Sequence, residues 1–112
     1  MNATKELIGA TTGLLVLSIL DREANYGYAI VKQINAEAEG LFTWQEGTVY
    51  PVLHKLEKDG LVSTQWQSAD TGRRRKYYYL TETGRAALAE RKREWSGFNA
   101  MISRLAEAND GC

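Results

Sequence analysis

The sequence predicts an α+β fold with the outline of a winged helix-turn-helix: three helices, a β-hairpin and one long final helix. Three observations predict it. A short polar and aromatic helix, read over residues 46–59, runs from Glu46-Gly47-Thr48-Val49-Tyr50-Pro51 into a stop at Gly60. A hairpin follows, and its loop is expected to carry Arg73-Arg74-Arg75-Lys76. In the last thirty residues a seven-residue spacing joins Leu88, Trp95 and Ile102, and again Arg91, Phe98 and Leu105, as in a short helical seam. Helix, glycine stop, strand, basic loop and strand place an exposed helix and a charged loop on one side of a small domain. That arrangement suits a DNA groove and its flanking phosphates.

Each element has its own reason. Residues 5–20 read as a first helix whose apolar side chains, Leu7, Ile8, Leu14–Leu17, Ile19 and Leu20, spread around more than one face. Such a helix needs cover on several sides, and part of it is expected from a second copy of the chain. Asp21–Asn25 is a polar break, with Asn25 expected as N-cap of a second helix. There Gly27, Ile30, Val31, Ile34 and Ala38 follow the i, i+3, i+4 rhythm, and Gly40 supplies a stop. Thr43 and Glu46 have capping-box spacing before the third helix. In that helix Val49, Val52, Leu53 and Leu56 form the buried stripe, with Pro51 expected near the first turn, where it is tolerated. Thr48, Tyr50, Pro51, His54, Lys55 and Lys58 are left for the other faces.

In the hairpin, Val62, Thr64 and Trp66 share one side-chain row, while Tyr78 and Leu80 share a row expected to face the core. Asp70-Thr71-Gly72 provides the turn chemistry. Thr81 is placed to cap a final helix over roughly 82–108, in which Arg91 occupies one seam slot and Gly97 weakens the middle.

Composition narrows the function. At 112 residues the chain should form one domain, near the size at which association helps stability. Fourteen basic residues balance fourteen acidic ones, so any nucleic-acid binding must come from local segregation of charge. One cysteine, Cys112, excludes an intrachain disulfide and a cysteine-based zinc site, and with His54 as the only histidine neither a metal nor another cofactor is expected. The apolar run Leu14–Leu20 lacks a basic flank and falls short of the roughly 20 residues that span a bilayer. The chain reads as cytoplasmic, without a membrane partner. No nucleophile, paired carboxylate or second histidine is spaced to work with His54, so no enzyme is expected.

Several residues carry two readings. Tyr26 and Tyr28, at the start of the second helix, either pack it on its neighbours or offer hydroxyls to phosphate beside backbone N–H groups. His54 reads as a surface contact to phosphate or base. Trp95, at a seam position, either packs two helices together or, facing its own copy across a twofold axis, presents a flat surface to a planar aromatic ligand.

The stretches Tyr26-Gly27-Tyr28-Ala29-Ile30, Glu46–Leu53, Leu56–Val62, Gly72–Tyr78 and Leu80–Arg85 together, in this order, resemble the PadR family of transcriptional regulators over roughly residues 5–105. The ending after a single long helix resembles the short subfamily, including its multidrug-sensing members. The resemblance implies a winged helix-turn-helix over residues 1–81, with residues 1–20 also in a dimer interface, and a dimerisation helix over 82–112. It implies a homodimer that represses by binding double-stranded DNA at an inverted-repeat operator and is released by a small molecule. The DNA-binding residues it implies are Tyr26, Tyr28, Thr48, Tyr50, Pro51, His54, Lys55, Arg73, Arg74, Arg75 and Lys76. The implied dimer contacts are Leu7, Ile8, Leu88, Trp95, Phe98, Ile102 and Leu105. Trp95, with Leu15, Phe98 and Asn99, is the implied site for a planar aromatic effector. The alternative is a small-molecule sensor in which the cavity at Trp95 matters more than DNA.

Overall fold

A computed structural model describes residues 3–68 and 70–110; Cys112 lies outside them. The elements run α1 (Ala3–Arg22), β1 (Asn25–Tyr26), α2 (Gly27–Ala38), α3 (Glu46–Lys58), β2 (Val62–Ser68), β3 (Arg74–Leu80) and α4 (Glu82–Asp110). The three strands form an antiparallel sheet in the order β1-β3-β2. Among the described residues no helix is long and apolar enough to cross a membrane.

One core joins all the layers. Val16, Leu17 and Leu20 of α1 meet Ile30, Val31 and Ile34 of α2, Val49, Leu53 and Leu56 of α3, and Val62 and Tyr78 of the hairpin. Three of the four stripe residues expected on α3 are buried, while Val52 is partly so. The rest of the apolar face of α1 extends beyond this core, leaving Leu7 exposed and Ile8 half-buried.

Trp44 is the largest departure from periodic reasoning. It lies in the loop between α2 and α3, yet its indole is buried and donates to the Thr12 hydroxyl at 3.1 Å. Asn35 grips the same residue by its backbone, accepting from its N–H at 2.7 Å and donating to its carbonyl at 2.8 Å. Both polar groups of a buried loop residue are thereby satisfied. This clamp holds the chain extended up to Gln45, so α3 starts with Gln45 as N-cap and Glu46 as first helical residue. The capping box expected from Thr43 and Glu46 does not form, because Glu46 stands two positions too early in the helix to reach back.

Three other sequence expectations are corrected. Asn25 is not an N-cap; it belongs to β1, paired with Tyr78, and its side chain accepts from the Tyr26 N–H at 3.0 Å. Pro51 lies inside α3, beyond the first turn, where the bond it cannot donate would have gone to the Gly47 carbonyl. The cationic run is mostly strand: β3 begins at Arg74, so only Arg73 remains in the turn with Asp70, Thr71 and Gly72. Gly72 takes φ 83°, a conformation that suits glycine.

At the start of α4 the Thr81 hydroxyl accepts from the Gly84 N–H at 2.9 Å, as an N-cap should, and donates to the Gly60 carbonyl at 2.7 Å. Gly84 itself is buried against the chain entering β2. A Cβ there would overlap the Leu61 carbonyl oxygen and lie 2.7 Å from Leu80 Cδ1. Leu88, expected on the dimer seam, is instead in the core at 2 % exposure, so it has no surface left for a partner. Arg91 lies across α1, where its guanidinium takes the space that a side chain at Gly13 would fill. Beyond Arg91, α4 leaves the body of the fold, and the molecule measures 62 × 29 × 24 Å.

Candidate nucleic-acid interface

The surface of α3 follows from its buried stripe. With Val49, Leu53 and Leu56 inward, the three-and-four spacing turns Gly47, Tyr50, Pro51, His54, Lys55 and Lys58 outward, and all six are exposed. Thr48 is half-buried at the side, its N–H bonded to the Gln45 carbonyl at 3.0 Å. Lys55 makes an exposed ion pair with Asp59 at 3.4 Å, too weak to hold it from another partner.

Between α3, the start of α2 and the hairpin lies an open cleft of about 430 Å³. Tyr26, Tyr28, Tyr50, His54, Arg73, Arg74, Arg75 and Lys76 line it, so most of the residues expected to touch DNA share one surface. Thr48, Pro51 and Lys55 do not line it; Pro51 and Lys55 lie on the exposed side of α3. Gly27, Trp66 and Tyr78 also line the cleft and were not singled out for it from sequence. Gly27 has a steric role: a Cβ there would come within 2.8 Å of the Tyr50 ring. Its absence lets α2 and α3 close on each other, which gives the Tyr-Gly-Tyr segment a physical reason. Burial first, then the charge of Glu46, pushes the Tyr50 phenol above its ordinary range, so at neutral pH it is a hydroxyl donor.

Aromatic faces hold the wing cations in place. The Arg75 guanidinium lies 4.2 Å from the centre of the Tyr26 ring, and Tyr77 meets that ring edge-on at 5.6 Å. Arg74 lies 5.6 Å from the exposed Trp66 ring near the wing tip, and Lys32 lies 5.5 Å from Tyr28. A ring carries no net charge, so these cations keep theirs. Lys76 differs: its ammonium pairs with Glu57 at 3.2 Å and turns towards the body, 5.5 Å from the Tyr78 ring. Lys76 therefore lines the cleft with its charge already paired, unlike the three arginines, which make no ion pair among the described residues.

The residues expected at an effector site divide. Trp95 is 38 % exposed and packs beside Phe98, ring centres 6.3 Å apart and tilted by 54°. Asn99 is exposed on the same helix. Leu15 lines a different hollow, between α1, α2 and Trp44, to which no residue of α4 contributes. Phe98, Met101, Ile102 and Leu105 continue an exposed apolar stripe along α4.

An outward helix beside an aromatic-lined basic hairpin, on a three-helix body, defines a winged helix-turn-helix. The chain belongs to the PadR-like family of transcriptional regulators, whose family model matches residues 16–90. It is therefore a regulator and not an enzyme. A PadR family transcription regulator from Clostridium difficile R20291 is 32% identical with a TM-score of 0.76, over 85% of this chain and 97% of that one. A transcriptional regulator from Clostridium thermocellum is 27% identical with a TM-score of 0.81, over 93% of this chain and 96% of that one. The transcriptional regulator Rv3488 of Mycobacterium tuberculosis is 51% identical over 47 residues, 42% of this chain and 43% of the relative, so the match spans less than half the relative's length.

Proposed function

We propose that the chain acts as a homodimeric repressor that binds an inverted-repeat operator through α3 and the wing, and that a planar aromatic ligand releases it. The observation that carries this reading is the cleft that brings Tyr26, Tyr28, Tyr50 and His54 onto one surface with Arg73, Arg74 and Arg75. On it, α3 enters the major groove with Tyr50, Pro51, His54 and Lys55 towards bases and phosphates, and the wing arginines follow the backbone or the minor groove. Residues 1–81 form the DNA-binding unit, and residues 82–112 with α1 join the two copies. The exposed row of Leu7 on α1 and Trp95, Phe98, Ile102 and Leu105 on α4 supports that interface, since an apolar stripe of this length is costly in water. Twofold symmetry would set the two recognition helices about 34–36 Å apart, for half-sites one helical turn apart.

Gel shift with the DNA preceding the chain's own gene tests this. Saturation at two chains per palindromic site is the expected result. Absence of any shift at low salt overturns it, and a winged helix used for protein contacts takes its place. The exposed Trp95–Phe98 pair favours a second reading, a small-molecule sensor with DNA secondary. Titration with planar cationic or phenolic aromatics separates the two. Quenching should vanish in Trp95→Ala if the ligand sits there, and persist at equal affinity if Trp44 or Trp66 reports another site.

A further inference from the structure

Glu57 lies in the last turn of α3, on the side facing the hairpin, and its carboxylate reaches both strands of the wing. Oε2 accepts from the Thr64 hydroxyl of β2 at 2.9 Å, and Oε1 accepts from the Lys76 ammonium of β3 at 3.2 Å. Thr64 pairs with Tyr78 across the sheet, and Lys76 with Trp66, so the two contacts fall two rungs apart, on the same face of the hairpin. The Thr64 hydroxyl, and after it Lys76, hold the carboxyl below the ordinary carboxylate range, so it is ionised at neutral pH. No other side chain of α3 is hydrogen-bonded or ion-paired to the hairpin among the described residues.

We propose that Glu57 is a positioning residue that fixes the angle between α3 and the wing, so that both reach DNA in one docking. This rests on the DNA-binding reading above. Its consequence runs against plain electrostatics. A carboxylate beside a phosphate-binding surface repels DNA, so its removal should tighten binding if charge were all that mattered. As a positioning group, its removal leaves α3 free to enter the major groove while the wing loses its fixed approach.

The test uses the full chain on its operator, with Glu57→Ala, Glu57→Gln and Thr64→Val, and two footprints. Guanine N7 protection reports α3 in the major groove, and hydroxyl-radical protection of the flanking backbone reports the wing. Glu57→Ala is expected to lose the flanking protection, keep the guanine protection, and bind roughly tenfold more weakly, the order of one hydrogen bond to a charged group. Glu57→Gln keeps both contacts, its carbonyl accepting from Lys76 and its amide donating to Thr64, and is expected to restore the flanking footprint. Thr64→Val changes no charge and is expected to weaken the same footprint, which keeps the test decisive if Glu57→Ala does not fold. Flanking protection unchanged in Thr64→Val and in any folded Glu57→Ala overturns the proposal. Glu57→Gln behaving like Glu57→Ala also overturns it, since a side chain that keeps both contacts would then fail to hold the wing. A chain carrying Arg73→Ala, Arg74→Ala and Arg75→Ala is run alongside. If it loses the flanking footprint while Glu57→Ala keeps it, the wing reading stands and only the role of Glu57 falls. If it too keeps the footprint, the wing reading falls as well.

Discussion

The salt dependence of operator binding gives the sharpest test of the wing, because the structure fixes how many charges it offers. Arg73, Arg74 and Arg75 make no ion pair among the described residues, while Lys76 is already paired with Glu57. Three neutralised phosphates per wing, not four, is therefore the expected count. Each neutralised phosphate contributes about 0.9 to the slope of log K against log salt, so replacing the three arginines with alanine should flatten it by about 2.7 per wing. Two wings on one operator give about 5.4, and between about 50 and 200 mM salt the difference amounts to roughly 40-fold per wing. Lys76→Ala should flatten the slope by well under the about 0.9 per wing of a full phosphate contact, because its charge is paired with Glu57. The assay is fluorescence anisotropy of a labelled operator over a salt series, with sedimentation to confirm that the variants associate as the parent does. A slope unchanged in the triple variant would refute the phosphate-neutralising wing. A Lys76→Ala effect as large as that of each arginine would refute the count.

Three further outcomes follow from packing and titration. Gly84→Ala should destabilise the chain by at least about 1–3 kcal/mol in chemical denaturation, since the obstruction is a backbone carbonyl that cannot rotate away; wild-type stability would mean α4 can slide there freely. Asn35→Ala removes both bonds to the Trp44 backbone, with an expected loss of about 1–3 kcal/mol and a red-shifted Trp44 emission, read in a chain whose other tryptophans are phenylalanine. For pH, the Glu57 carboxyl binds its proton less readily folded than unfolded, so its stabilisation is complete above the ordinary carboxylate range and is lost as pH falls through the lowered value. The Tm advantage of the wild type over Glu57→Gln should therefore shrink on moving from neutral pH to below about 4, followed by circular dichroism.

Periodicity made the helices and their buried faces legible, because burial imposes a spacing that survives in the sequence. Val49, Leu53 and Leu56 are found where the i, i+4, i+7 pattern puts them. The wing was legible from turn chemistry and charge. What escaped was whatever depended on residues far apart in the chain. β1 is only Asn25 and Tyr26, too short to alternate, and exists because β3 lies beside it. Trp44 sits in a loop, where no period marks a residue for burial, and only Thr12 and Asn35 show why it goes inside. Lys76 looks like the fourth of four equal cations until the hairpin register turns it towards Glu57. Leu88 and Trp95 have identical heptad standing, yet the first is covered by its own domain and the second is not. A repeat shows which side of a helix is apolar, not whose surface covers it.

The crossing at Gly84 has a mechanical consequence. There the Leu61 carbonyl accepts from the Thr81 N–H at 3.1 Å, and the Leu61 N–H donates to the Leu56 carbonyl at 2.9 Å. The foot of α4, the root of the wing and the end of α3 thus meet at one joint, where Gly84 lets backbone lie directly against backbone. From Gly84 to the end of α4 at Asp110 the helix is about 39 Å long, so a tilt of about 5° at the joint swings the far end by about 3 Å. Read in reverse, the helix is a long lever on a short fulcrum. A displacement of a few ångströms at its tip arrives at the wing root as a small rotation with little slack to absorb it.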